Sequence, residues 1–151
     1  GSGDDLSGDV TSFVAGKHKY GVFIGGTIDA HDIPLNAAFE ADLKTHLTNM
    51  LTVAEKVLVC TVPTLKTNST YDTAGNVTST ASANAIINAL PSWNSNVVVV
   101  DLFTLLGGEV LGNDYFEGER TGALDNLHLS ASGAKVVGRE IGRLLFQTLT
   151  S

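Results

Sequence analysis

Residues 57–62 read Val57-Leu58-Val59-Cys60-Thr61-Val62. It is a short, continuous apolar run, and two similar runs lie on either side of it along the chain, at 20–24 and at Val97–Val100. Continuous rather than alternating hydrophobicity is typical of strands that are buried on both faces, as in a parallel sheet. The sequence therefore predicts a mainly parallel sheet of about three strands.

Helical patterns lie between and after these runs. Residues 35–54 carry large apolar side chains at i, i+4 spacing, residues 81–90 carry a shorter stripe, and Ala131–Leu149 carries a third, with Ser130 as its predicted N-cap. Strands that alternate with helices predict βαβ units. We therefore expect a single α/β domain over residues 1–151, a truncated flavodoxin-like three-layer sandwich.

Composition excludes some classes of partner. Hydrophobic residues make up 43% of the chain, enough for one core, and the formal net charge is -7. An acidic chain argues against binding to nucleic acid or to an anionic membrane. Cys60 is the one cysteine, so no intrachain disulfide forms, and its apolar neighbours predict a buried, inert thiol. The opening residues 1–3 are typical of a cloning remnant, which predicts a larger parent protein.

Ligand sites in parallel α/β folds lie beyond the carboxyl ends of the strands. The polar stretch 66–83 follows the second run and is expected to be a solvated loop, with 71–76 as a turn. A loop after the third run leads to Asp125 and His128, three residues apart. This spacing lets a carboxylate hold one imidazole nitrogen while the other faces a substrate hydroxyl, although two unrelated surface residues can show the same spacing.

The segment 125–133, Asp-Asn-Leu-His-Leu-Ser-Ala-Ser-Gly, resembles the last conserved block of SGNH (GDSL-type) hydrolases. The resemblance implies that His128 is the general base and that Asp125 orients it. Residues 25–29 resemble the Gly-x-Asn-Asp block of that family, and residues 6–11 resemble the block whose glycine helps to form the oxyanion hole. The resemblance thus implies an oxyanion-hole-like role for Gly8 and Gly26.

Two departures from the family pattern concern the chemistry itself. The Gly-Asp-Ser block of the family ends a strand well upstream of the glycine block. Residues 3–7 mimic it with Asp5 at the nucleophile position, but no apolar strand precedes them and they lie too close to Gly8, so the match is interpreted as a coincidence or a tag junction. Ile28 stands where the family has the oxyanion-hole asparagine, and an aliphatic side chain donates no hydrogen bond. Without a nucleophile His128 has nothing to activate, and losing one oxyanion donor costs about 100- to 1000-fold in rate. The Asp125–His128 pair is therefore expected to be a vestigial or incomplete dyad.

Three functional hypotheses follow. The first is a catalytically silent SGNH-like module of a larger protein, such as a phage tailspike, that binds carbohydrate or a cell surface or supports assembly. The second is part of an active carbohydrate O-acetyl esterase whose serine lies outside this chain. The third is an unrelated flavodoxin-like binding domain, although no Gly-rich phosphate loop follows the first strand.

The sequence also leads to expectations about ligand-binding residues, cofactors and partners. Asp29 and Trp93 are candidate ligand-binding residues, although Trp93 is expected rather to pack at the edge of the core. We expect no cofactor and no metal. The absent serine-bearing strand would expose the edge at 20–24, which predicts a homo-oligomer, a trimer in a tailspike, or docking onto the parent chain. An extracellular or virion-surface location would suit such a module.

Overall fold

The computed structural model describes residues 18–26, 35–63, 74–108 and 129–149. The strands and helices, in chain order, are β1 (His18–Phe23), α1 (Phe39–Leu51), β2 (Ala54–Cys60), α2 (Ala74–Trp93), β3 (Val97–Val100), α3 (Leu102–Leu105) and α4 (Ala131–Leu149). This alternation of strands and helices confirms the predicted α/β class. Gly8, Asp29, Asp125 and His128 lie outside the described residues.

The three described strands form one sheet in the order β1-β2-β3, and both neighbouring pairs are parallel. Val57 of β2 is in register with Gly21 on one side and with Val97 on the other. The central strand β2 contains residues 57–60 of the apolar run 57–62, and burial on both faces explains why the hydrophobicity of this run does not alternate. The prediction of a short parallel sheet is confirmed.

Successive side chains of β2 point to opposite faces of the sheet, and each face is covered by helices. Val57 and Val59 face a cluster formed with α1 and α2, whose buried members include Leu47, Ile87 and Leu90. Leu58 and Cys60 face a second cluster formed with α3 and α4, whose buried members include Leu102, Leu106 and Val137. The fold is therefore a helix–sheet–helix sandwich.

Helix α1 begins later than its apolar pattern predicts. Asn36 forms a turn in which its side-chain oxygen accepts a hydrogen bond from Ala38 N (2.9 Å) and its carbonyl accepts one from Phe39 N (3.0 Å). This local turn replaces the first helical residues of the predicted 35–54 segment. From Phe39 onward the predicted stripe is present, with Phe39, Leu43 and Leu47 buried against the sheet.

Helix α2 corrects the prediction of a solvated loop over residues 66–83. The helix begins at Ala74 and continues through Trp93, so the second half of that stretch is helical. Ser79, Thr80 and Asn84 are buried, although their polarity suggested exposure. Packing of this face against the rest of the domain outweighs the weak local preference of Ser, Thr and Asn for loops.

Helix α4 has the predicted bounds and the predicted cap. Ser130 Oγ accepts a hydrogen bond from Gly133 N (3.1 Å), and Ser130 O accepts one from Ala134 N (2.9 Å). The hydroxyl thus satisfies one of the amide groups that the first helical turn leaves without an intrahelical partner. No helix in the part of the chain described here is long and apolar enough to cross a membrane.

Candidate functional site at the carboxyl ends of the strands

The parallel strands bring three short segments to one edge of the sheet. Residues 24–26 follow β1, residues 61–63 follow β2, and Asp101 follows β3. Ligands of parallel α/β folds bind beyond this edge, where loops can vary without disturbing the core. The candidate site is therefore built on the contacts that hold these three segments in place.

Thr61 and Asp101 join the ends of β2 and β3. Thr61 Oγ1 donates a hydrogen bond to Asp101 Oδ1 (3.2 Å) and accepts one from Phe103 N (2.8 Å). Asp101 Oδ1 also accepts from Thr104 N (3.1 Å), which makes Asp101 the N-cap of the short helix α3. The threonine hydroxyl is thus engaged both as donor and as acceptor, and Thr61 is only 2% exposed.

Asp101 is held in its ionised form by these contacts. Partial burial opposes ionisation, but hydrogen bonds from Thr104 and from Thr61 outweigh it and lower the pKa of the carboxyl below its usual value. Donors aimed at a carboxylate stabilise the charged state. The chain therefore presents a fixed negative charge at the carboxyl end of β3.

Asn84 of α2 fixes the segment that follows β2. Its Oδ1 accepts a hydrogen bond from Val62 N (2.7 Å), and its Nδ2 donates one to Val62 O (2.8 Å). Both residues are buried, so the carboxamide replaces the partner that a neighbouring strand would offer to this peptide. Sequence reasoning missed Asn84, because it lies in a Ser-, Thr- and Asn-rich stretch whose polarity suggested solvation.

Gly26 shapes the turn after β1. Its backbone has a φ of +86°, a left-handed conformation that side-chain-bearing residues rarely adopt. A Cβ added at this position would lie 3.5 Å from side-chain atoms of both Phe39 and Val62. The turn therefore packs against the segment that Asn84 holds. This is the residue to which the family resemblance gives an oxyanion-hole-like role.

Cys60 is buried, as predicted. The side chain is 2% exposed, and its burial raises the pKa of the thiol to about 11. A thiol with that pKa is protonated at neutral pH and is a poor nucleophile. Neither Cys60 nor the engaged Thr61 hydroxyl can therefore serve as an acyl acceptor.

Trp93 occupies a different part of the molecule from Gly26. It ends α2 just before β3 begins, so it lies toward the amino ends of the strands, whereas Gly26 follows the carboxyl end of β1. Trp93 is 39% exposed and belongs to neither buried cluster, and its packing at the edge of the core stays a prediction. The structure thus does not bring these two candidate residues together.

Lys44 of α1 lies beside the Trp93 ring. Its Nζ is 5.7 Å from the ring centroid and also donates a hydrogen bond to Glu40 Oε1, one helical turn earlier, over 2.5 Å. The two charged side chains keep 32% and 52% of their surface exposed. An aromatic ring, a cation and an anion therefore share one solvent-accessible area on the face formed by α1 and α2.

The described ranges contain no group of three or more His, Cys, Asp or Glu side chains that could hold a metal ion. No family model, curated protein or solved structure matches the chain.

Proposed function

We propose that this chain is a catalytically silent module related to SGNH hydrolases, which binds carbohydrate as part of a larger protein. One observation carries the proposal. The described strand ends offer no side chain that can attack an ester, because the Cys60 thiol is buried and protonated and the Thr61 hydroxyl is buried and fully engaged. A charge-relay pair has no purpose without a nucleophile to activate.

The sequence supports the same conclusion in two further ways. It contains no recognisable serine nucleophile block, and Ile28 replaces the asparagine that would stabilise an oxyanion. Both differences remove groups that acyl transfer needs. A fold that keeps its scaffold and loses its chemistry is suited to recognition.

The alternative is an incomplete esterase, in which a segment outside this chain supplies the serine. The observation that favours it is the retained pair of Asp125 and His128, which follows β3 and precedes α4 in the order expected for a general base and its orienting carboxylate. Ile28 weighs against it, because an external serine would not restore the missing oxyanion donor.

Ester hydrolysis tests whether this chain is active by itself, and the same assay on a longer parent protein tests the alternative with an external serine. We would measure release of p-nitrophenol from p-nitrophenyl acetate, and of acetate from acetylated xylan, by the unmodified protein and by His128→Ala. His46→Ala serves as the matched control, since a histidine can promote p-nitrophenyl acetate hydrolysis without an active site. The silent module predicts no acetate release from xylan and equal background rates for all three proteins.

Hydrolysis of acetylated xylan that His128→Ala abolishes and His46→Ala leaves intact would overturn the proposal. It would establish the chain as an esterase. Equal and negligible rates would agree with a silent module, and activity of the longer parent protein that depends on His128 would then favour the incomplete esterase.

A further inference from the structure

The area around Trp93 has the chemical composition of a sugar-binding surface. Trp93 is 39% exposed and is not a member of either buried cluster. A partly exposed indole offers a large amphipathic surface, and its ring face attracts groups that carry partial positive charge. The C–H groups on one face of a pyranose ring have that character.

Hydrogen-bonding groups lie directly beside this ring. Lys44 uses one of its three N–H groups on Glu40 Oε1. The described part of the chain offers no hydrogen-bond partner to the other N–H groups of Lys44, to Glu40 Oε2 or to the indole N–H of Trp93. One donor-rich cation and one acceptor side by side match the vicinal hydroxyls of a sugar, each of which both donates and accepts.

The contact between Lys44 and the ring leaves room for a ligand. At 5.7 Å the ammonium is near the distance of about 6 Å at which such contacts cease to matter. Lysine side chains on a surface move readily between rotamers. The Lys44 side chain can therefore swing aside and donate to a hydroxyl while a sugar ring approaches the indole.

We propose that Trp93, Lys44 and Glu40 form a binding site for a neutral pyranose unit of a glycan. This inference rests on the proposed function and locates the binding site on the α1–α2 face, not at the carboxyl ends of the strands. Neutrality follows from charge. Glu40 compensates Lys44 locally, and the chain carries a net charge of -7, so a uronate or a sulfated sugar would be repelled.

Titration of the protein with oligosaccharides, followed by tryptophan fluorescence, tests the site directly. Trp93 is the one tryptophan of the chain, so any change in emission reports on this position. The probes are cellohexaose, maltohexaose, mannohexaose and N-acetylchitohexaose, with hexagalacturonate as the anionic comparison. We expect a saturable change in emission with at least one neutral hexasaccharide in the millimolar range, and none with hexagalacturonate.

Calorimetric titration of variants with the best probe then identifies the contributing groups. Trp93→Ala and Lys44→Met should each weaken binding by about tenfold or more, through loss of the stacking surface and of a charged donor. The matched control is Lys19→Met, since Lys19 also pairs with a glutamate, Glu55 at 3.5 Å, at a more exposed position on the sheet. This control should bind like the unmodified protein.

The outcomes distinguish this site from the wider function. Binding of a neutral glycan that Trp93→Ala and Lys44→Met leave unchanged would overturn the site while the binding function stands. Equal binding of hexagalacturonate would overturn the assignment to neutral sugars. Failure of all four neutral probes would overturn the site, and His128-dependent release of acetate from xylan would overturn the proposed function independently of any result at Trp93.

Discussion

The Asn84 side chain forms hydrogen bonds with both the N–H (2.7 Å) and the carbonyl (2.8 Å) of Val62, which lies 22 residues earlier in the chain. These two hydrogen bonds lie just after the end of β2, where the backbone of Val62 no longer pairs with a neighbouring strand. They hold the middle of the three segments that form the carboxyl edge of the sheet, and Gly26 packs against the same Val62 side chain. One buried amide therefore supports two of the three segments.

Replacing Asn84 should destabilise the domain markedly. Asn84→Ala leaves a buried N–H and a buried carbonyl of Val62 without partners, which costs about 2–3 kcal/mol. Urea denaturation followed by circular dichroism measures the change. Asn88→Ala is the control, because Asn88 lies one turn later on the same helix and is exposed. Equal effects of the two substitutions would mean that the hydrogen bonds between Asn84 and Val62 contribute nothing to stability.

Asp101 should stabilise the fold in a pH-dependent way. Its pKa is lowered in the folded protein, so its contribution is present above the ordinary aspartate pKa of about 4 and is lost as the pH falls through the lowered value. Asp101→Ala should therefore cost about 1 kcal/mol at neutral pH and progressively less in acid.

Urea unfolding of Asp101→Ala between pH 7 and pH 3 measures this dependence. Asp42→Ala provides the comparison, since Asp42 is an exposed residue in the first turn of α1. A cost for Asp101→Ala that stays constant over the whole range would contradict a role for its charge.

Cys60 should resist thiol reagents until the protein unfolds. Burial raises its pKa to about 11, so the folded state holds a protonated thiol without access to solvent. We expect reaction with 5,5′-dithiobis(2-nitrobenzoic acid) at pH 8 to be at least about 100-fold slower in buffer than in guanidinium chloride. The raised pKa also predicts that stability declines as the pH rises from about 9 toward 11. Rapid labelling of the folded protein would contradict this burial.

Two glycines should respond oppositely to the same substitution. Gly26→Ala forces a side chain into a left-handed backbone and should cost about 1–2 kcal/mol, although the added methyl meets ordinary contacts at 3.5 Å. Gly138→Ala lies within α4, has no atom within 4 Å of the new methyl, and should stabilise by about 1 kcal/mol. Thermal unfolding compares the two. Destabilisation by both substitutions would contradict the open space at Gly138.

Association through the β1 side of the sheet is a further prediction. Val22 and Ile24 are 38% and 60% exposed, and β1 is the outermost strand on its side of the described sheet. Exposed apolar residues at a sheet edge favour contact with another chain. We expect sedimentation velocity to reveal a homo-oligomer that Ile24→Lys weakens by about tenfold or more. Phe146→Lys is the control at an exposed position on α4, and a monomer at all concentrations would contradict the prediction.

The parts of the fold that the sequence predicts best are those that hydrophobicity alone determines. Val97–Val100 is apolar throughout and has the predicted bounds, and α4 combines a strong apolar stripe with the capping hydroxyl of Ser130. Helix α2 was predicted too short, because Ser79 and Thr80 are polar by type yet buried by position. Burial depends on what the rest of the chain brings into contact, and local composition does not report it.

The candidate site was less predictable for the same reason. The sequence singled out Gly26 only through the family resemblance, and the left-handed backbone that a glycine allows there was not predicted. The hydrogen bonds from Thr61 to Asp101 and from Asn84 to Val62 join residues 40 and 22 positions apart. The contact of Lys44 with Trp93 likewise joins α1 to the end of α2. No local pattern encodes such pairs, which exist only once the helices have packed.

The sequential strand order has a consequence for biosynthesis. In the described sheet each strand pairs with its neighbour along the chain, so a chain emerging from the ribosome can assemble β1, β2 and one helical layer before β3 is complete. The opposite face depends on α4, which is translated last of the described elements. Until then Leu58 and Val100 face solvent. A nascent chain stalled before α4 would expose this face and become a natural client for chaperones that bind apolar surface.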